Sequence, residues 1–244
     1  MATLSAAPKT AASWVRRVAS RPGFRFTAKS HRSWTHGSTD TPLIDKTFEG
    51  LAPLRDAGLL GALLVQFPQS FHWTPENRTR LGHLLDQTDG WPVVVEVRHV
   101  SWEDDSAAAW IRSRGVGWCV VDQPRVGRST ARALPKVTSA LAYLRLHGRN
   151  AEHWFQEGAG RDARYDYLYS EDELRPLADV ARAMTARASA VYAIANNHFR
   201  GQALANALQL KHLLQGVVPD APGELAQAYP ALQGVVNVVD PKLL

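Results

Sequence analysis

The sequence predicts an α/β fold of TIM type, a (β/α) barrel, on two observations. Short β-branched or apolar runs alternate with longer segments of helical period, the pattern of βα units feeding a parallel sheet. The polar residues at the C-terminal ends of those runs also share one parity, as they do on the pore side of a barrel whose rim hosts an active site.

Six runs read as strands: 24–29, 60–67, 93–98, 116–122, 141–147 and 190–196. Between most of them stand helix signals. Thr74-Pro75-Glu76 reads as an N-cap with proline at the first helical position, ahead of Leu81, Leu84 and Leu85. Ser101-Trp-Glu-Asp and Ser170-Glu-Asp-Glu have the form of capping boxes, and the second opens a helix with Leu174, Leu177, Ala181 and Met184 on one face. Residues 201–214 form another helix, apolar at Leu204, Leu208 and Leu210. Trp14 and Trp110 fall on helices and are expected in the core, and Cys119 falls on the apolar parity of its strand. With no internal repeat and no low-complexity linker, residues 1–216 are expected to be a single domain, and 217–244 a C-terminal extension.

Taken at the strand ends, one parity collects Lys29 and His31, Gln66, Glu96 and Arg98, Asp122, Arg145 and His147, and Asn196 and His198. The other is apolar, with Val65 and Phe67, Val95 and Val97, and Leu144 and Leu146. A doubly wound open sheet has no single interior to explain this agreement, whereas a barrel has one.

Composition bounds the function. Of 244 residues, 45% are hydrophobic and 21% charged, which excludes collagen-like and wholly disordered chains. One cysteine allows neither an intramolecular disulfide nor a thiolate zinc site and points to a reducing cytoplasm. No apolar run reaches the roughly 18 residues of a membrane span, and the N-terminus has no apolar signal core, so a cytoplasmic protein with no membrane partner is expected. A formal charge of +5 raises nucleic acid as a partner, provided the charge is gathered at one place.

Several stretches resemble the YecE-like family, domain of unknown function 72: Phe24-Arg-Phe-Thr-Ala-Lys-Ser-His31 running on to Trp34-Thr-His36, Gln66-Phe-Pro, Val95-Glu-Val-Arg-His99 with Ser101-Trp102, Tyr143-Leu-Arg-Leu-His-Gly-Arg-Asn150, Tyr165-Asp-Tyr167, and Asn196-Asn-His-Phe-Arg-Gly-Gln202. Together they run from about residue 10 to 215. The resemblance implies a single YecE-like TIM-type barrel over 1–216 and brings no established reaction. Family members usually open with a Gly-Thr-Ser-Gly-Trp type turn and a second strand ending Glu-x-Asn, and this chain has neither. The expectation is therefore a barrel lacking the first two of eight strands, with the 24–29 and 190–196 strands as sheet edges through which copies can self-associate. The Val-rich 234–240 segment is not expected to fill that gap.

The rim sets Lys29, Arg98, Arg145 and Arg149 against Glu96 and Asp122. Cations converging there suit an anionic small molecule or a nucleic acid, since arginine offers a planar fork and lysine a point charge. The ligand-binding candidates are Lys29, His31, Gln66, Arg98, Arg145, Arg149, Asn196 and Asn197; the catalytic candidates are Glu96, Asp122 and His147, as acid or base. The plain alternative is that Glu96–Arg98 and Asp122–Arg145 only neutralise each other. His31, His147 and His198 with two carboxylates also suit a divalent metal activating a water, which would make a hydrolase, but their spacing matches no short ligand motif and no cofactor is assigned. Trp34, Trp73, Trp102 and Trp154-Phe155 follow strand ends and either stack bases or pack loops. The leading function is an enzyme acting on a phosphate-bearing or nucleic-acid ligand at the rim; the alternative is a non-catalytic anion- or nucleic-acid-binding protein.

Overall fold

A computed structural model describes residues 7–36, 41–127, 133–154, 156 and 161–240. Two compact units organise the chain, one of Met1–Cys119 with Val137–Ala142 and the other of Val120–Lys136 with Tyr143–Leu244.

In the first unit, Pro8 stands in the first turn of α1 (Pro8–Arg17), where its missing N–H costs nothing. The helix buries Ala11 and lays Trp14 on Phe26 at 5.9 Å between ring centroids. Trp14, like Trp110, is half-buried rather than core. Then come β1 (Phe26–Lys29), α2 (Thr41–Asp56), β2 (Leu60–Gln66), α3 (Pro75–Asp86), β3 (Val93–Glu96), α4 (Asp105–Ser113) and the start of β4 (Gly117–Asp122). Ala62, Leu63, Leu64 and Val65 are all fully buried, the continuous apolar run of a parallel strand covered on both faces. The parallel registers set Lys29 beside Leu64, Gln66 beside Glu96 and Val95 beside Trp118. Gly117 is required by close approach: a Cβ there would stand 2.6 Å from the Leu141 carbonyl oxygen.

The second unit carries the end of β4, most of β5 (Leu141–Leu146), α5 (Arg161–Arg164), α6 (Glu171–Thr185), β6 (Ala190–Ala195), α7 (Gln202–Gln215), β7 (Asp220–Pro222), α8 (Gly223–Ala228) and β8 (Asn237–Val239). All six expected strands exist, each shorter by a residue or more, and they form one parallel sheet in the order β1-β2-β3-β4-β5-β6. β1 and β6 are its end strands. The Val-rich segment pairs elsewhere: β8 lies parallel to β7 in a separate two-stranded sheet. No helix among the described residues is long and apolar enough to cross a membrane.

Helix starts follow their caps, with one correction. Thr74 Oγ1 accepts the Asn77 N–H at 3.3 Å, and the Ser170–Glu173 box is complete, its reciprocal bonds 3.0 and 3.3 Å long. Ser101 caps no α-helix. It sits in a 3-10 turn, Val100–Glu103, while α4 starts four residues later on Asp104, whose carboxylate accepts the Ser106 N–H at 2.8 Å. The Ser101 hydroxyl instead accepts the Trp73 N–H at 2.8 Å.

α6 buries Leu174, Leu177, Ala181 and Met184 as expected, and α7 buries Leu210 as expected but not Leu204. Leu204 is 49% exposed while Asn206 is fully buried. Asn206 clamps the segment leading into α6: its Nδ2 donates to the Tyr169 carbonyl at 2.9 Å, and its Oδ1 accepts the Tyr169 N–H at 3.0 Å and Asn197 Nδ2 at 2.8 Å. Hydrogen bonding to a buried backbone overrides the hydrophobic period here. Asn206→Leu leaves these groups unsatisfied at about 1–3 kcal/mol each. The expected result is a loss of about 3 kcal/mol or more in urea unfolding; a loss below about 1 kcal/mol would mean that water replaces the amide.

Candidate functional site

Within the first unit, register carries Lys29, Gln66 and Glu96 to one face at the C-terminal ends of β1, β2 and β3. Glu96 is fully buried and takes Arg98 Nε at 2.7 Å and Nη2 at 2.6 Å. Cys119, read from the sequence as apolar parity, is on this same face: its thiol donates to Glu96 Oε2 at 3.8 Å. The step of one register place between β3 and β4 makes the difference.

A recurrence missed in the sequence stands just beyond two of these strands. His31-Arg-Ser-Trp34 and His99-Val-Ser-Trp102 build the same corner, each histidine capping a 3-10 turn. Nδ1 accepts the serine N–H, at 3.3 Å for His31 and 3.2 Å for His99, and the tryptophan three residues past each cap is fully buried. A backbone N–H only donates, so Nδ1 holds a lone pair and the ring proton sits on Nε2. Trp102 donates Nε1–H to the Phe71 carbonyl at 2.7 Å. With Trp34, Trp102 and Trp154 buried, the tryptophans pack the loops; Trp73 is half-buried, and Phe155 lies outside the described residues.

In the second unit the strand ends divide by face. Where β2 meets β3, the bond from Phe67 N–H to the Glu96 carbonyl accompanies the pairing of Gln66 with Glu96. By the same rule, His147 N–H to the Asp122 carbonyl at 2.9 Å sets Asp122 beside Leu146, and Asn196 N–H to the Leu146 carbonyl at 2.7 Å sets Asn196 beside His147. Arg145, His147 and Asn196 therefore share a face, and Asp122 points to the other. The sequence reading that grouped Asp122 with Arg145 is corrected on this point: parity within a strand is right, but the offset between strands reverses it.

On the first of these faces, buried Arg145 donates from Nη2 to Asn196 Oδ1 at 2.9 Å, and Asn196 Nδ2 lies 3.1 Å from Nδ1 of fully buried His147. Arginine only donates, so the Asn196 oxygen must face it and the amide NH2 must face the imidazole. His147 Nδ1 therefore accepts, and its proton is on Nε2. The chain of two bonds joins a guanidinium, an amide and a neutral imidazole.

On the opposite face, Asp122 takes a bidentate Arg149, Nε and Nη2 each at 3.0 Å, and the Tyr169 hydroxyl at 2.6 Å. Its partner is thus Arg149, not Arg145. Arg149 Nη1 donates to Glu173 at 3.2 Å, and Glu173 accepts the Tyr167 hydroxyl at 2.5 Å. Burial opposes the Arg149 charge, but Asp122 and Glu173 outweigh it and hold the guanidinium above its ordinary range. Burial, reinforced by Asp122, pushes the Tyr169 hydroxyl up, and burial with the Glu173 bond pushes Tyr167 up to about 12. Asn197 is fully buried in the framework, its Nδ2 bonded to the Tyr167 carbonyl at 2.7 Å and to Asn206.

These proton positions bear on the metal alternative. His31 and His147 carry their protons on Nε2, the nitrogen a metal would need, and no group of three His, Cys, Asp or Glu stands close enough to hold an ion among the described residues. His198 Nδ1 lies 3.1 Å from the Asn196 carbonyl and so carries its proton there.

Glu173 makes the second unit sensitive to acid. Burial raises its pKa, but the Tyr167 hydroxyl, the Ser170 N–H and Arg149 prevail, so it titrates below its ordinary 4.5. A carboxyl depressed on folding contributes stability that is present above pH 4.5 and lost as the pH falls through the folded value. Urea midpoints measured against pH should decline on that limb, and less steeply in Glu173→Gln; an unchanged acid limb contradicts the assignment. At the alkaline end, phenolate absorbance should show one tyrosine titrating near pH 12 that Tyr167→Phe removes.

Comparison with known proteins agrees with this architecture. UPF0759 protein YunF of Bacillus subtilis (strain 168) is 26% identical over 206 residues, covering 78% of this chain and 73% of its own length. The crystal structure of a DUF72 family protein from Thermotoga maritima MSB8 superposes with a TM-score of 0.75 at 32% identity, over 84% of this chain and 80% of that one. One from Enterococcus faecalis V583 superposes with a TM-score of 0.76 at 29% identity, over 85% and 79%. The model of the family described as "Protein of unknown function DUF72" matches residues 5–228, and the chain belongs to that family.

Proposed function

We propose that this protein is an enzyme acting on a phosphate-bearing or nucleic-acid ligand at the C-terminal ends of β5 and β6, with Arg145, Asn196 and His147 as the groups that meet it. The observation that carries the reading is the chain of hydrogen bonds through those three side chains, because it fixes the Asn196 amide and leaves the His147 proton on Nε2. Donors oriented before binding suit an anion and cost no reorganisation when it arrives. Arg145 neutralises charge, and His147 Nε2–H is placed as a general acid for a leaving oxygen, which fits hydrolysis. Asp122 acts through Arg149 as a positioning group rather than as a base. Lys29, His31, Gln66 and Arg98 form a ligand face of the first unit in their own right, with Glu96 as its acid or base.

Six parallel strands in chain order, with helices between most of them, support a TIM-type arrangement, in which ligands meet strand C-termini. A cytoplasmic location fits the single cysteine, Cys119, which is buried and reduced. The end strands β1 and β6 are the places through which copies would associate.

One observation favours the second reading, a binding protein without turnover: Asp122 is held by a bidentate arginine and Glu96 by Arg98, and an ion-paired carboxylate is a weak base. Phosphomonoesters and single-stranded DNA and RNA oligonucleotides separate the two. Arg145→Met should weaken binding about tenfold or more per folded molecule. Oligonucleotide affinity should fall about tenfold or more between 50 and 200 mM salt, roughly as the counterions released by a few phosphate contacts require. His147→Ala should abolish product formation while changing affinity little; binding without product in the wild type leaves the second reading. If none of these compounds binds, or Arg145→Met binds as well as the wild type, the proposal is wrong.

A further inference from the structure

On the face that Asp122 shares with α6, the second unit has a cleft of about 410 Å³. Its apolar lining is Leu177 and Val180 of α6 with Leu134, which is exposed, and its polar wall is Asp122, Arg149 and Arg125. None of Arg145, His147 or Asn196 lines it, so it is a separate place from the site proposed above.

The hydrogen bonds of Arg149 show what the wall has left to offer. A guanidinium has five N–H groups. Nε and one N–H of Nη2 go to Asp122, and one N–H of Nη1 goes to Glu173. One N–H on each terminal nitrogen therefore has no acceptor among the described residues, on a side chain that is 36% exposed beside the cleft. Arg125 is exposed at the same wall and has no ion-pair partner among the described residues.

Charge then selects the ligand. Among the lining residues, Arg149 and Arg125 against Asp122 leave one formal positive charge, and Glu173, bonded to Arg149 from outside the lining, offsets it. A dianion such as phosphate would meet two fixed carboxylates, whereas a monoanion with two acceptor oxygens would meet matched donors. The apolar lining asks for a hydrocarbon body behind that head group, and the volume lies in the range of small-molecule sites.

We propose that this cleft is a binding site for a small organic carboxylate with an aromatic or aliphatic body, its carboxylate on Arg149 and Arg125 and its body against Leu134, Leu177 and Val180. Occupancy would be felt at the end of β5, because Asp122 takes the His147 N–H on its carbonyl and Tyr169, bonded to Asp122, takes the Gly148 N–H at 2.8 Å.

The test is calorimetric titration of the full chain with benzoate and hexanoate, beside benzyl alcohol and inorganic phosphate. Benzoate should bind about tenfold more tightly than benzyl alcohol, the difference of one charged hydrogen-bonded contact, and phosphate should not compete with it. Val180→Trp, which fills the cleft, should remove benzoate binding. Arg125→Ala should weaken it about threefold to tenfold with no change in unfolding midpoint, since Arg125 is exposed and has no ion-pair partner among the described residues. Equal affinity for benzoate and benzyl alcohol, displacement of benzoate by phosphate, no benzoate binding at concentrations on the order of 10 mM, or Arg125→Ala binding like the wild type would each overturn the proposal. The Arg125 variant decides the matter even where Val180→Trp does not fold.

Discussion

The carboxylate of Asp122 is the constraint on which the second unit depends. A charge at the end of a covered strand must be paired, and pairing it here draws three stretches of chain to one point. Its two oxygens collect Arg149, three residues past β5, and the Tyr169 hydroxyl, just ahead of α6, while its backbone carbonyl collects the His147 N–H. Tyr169 passes the constraint on by accepting the Gly148 N–H. Gly148 has to be glycine for this to close: its φ is +89°, and a Cβ would stand 2.7 Å from Cβ of Tyr167.

That pinned framework frees the other face for chemistry. Residues 145 and 147 alternate with 144 and 146, so a strand end anchored on one side presents its remaining side chains to the opposite one. There the donor-only character of arginine propagates through Asn196 to the imidazole, and a proton position follows from geometry alone. Carboxylates do structural work on one side of β4 and β5, and donors gather on the other. The amides of α7 complete the frame: Gln202 accepts the Tyr167 N–H at 2.8 Å and Asn206 holds Tyr169 by both backbone groups, so the segment before α6 is fixed without being part of any regular element.

The first unit solves the same problem of ordered strand ends with aromatic side chains. Two His-x-Ser-Trp corners follow β1 and β3, each bonding a backbone N–H to an imidazole and anchoring itself with a buried indole. Much of the unusual tryptophan content is spent in this way. Rings such as Phe71 and Trp102, stacked at 5.6 Å, are loop anchors, and their faces are not available to a base or sugar.

Local signals in the sequence determined the local structure: six strands, the Thr74 and Ser170 caps, the apolar face of α6 and the side of each strand that carries polar residues. They are legible because strand parity, helix period and capping depend on neighbours a few residues away. The Glu96–Arg98 pair was legible too, two residues apart on one strand. The partner of Asp122, the face of Cys119 and the buried side of α7 were decided by tertiary structure. Each depends on the offset between strands or on a hydrogen bond to distant backbone, and an offset of one residue turns a side chain to the other face while leaving every periodicity in the sequence unchanged.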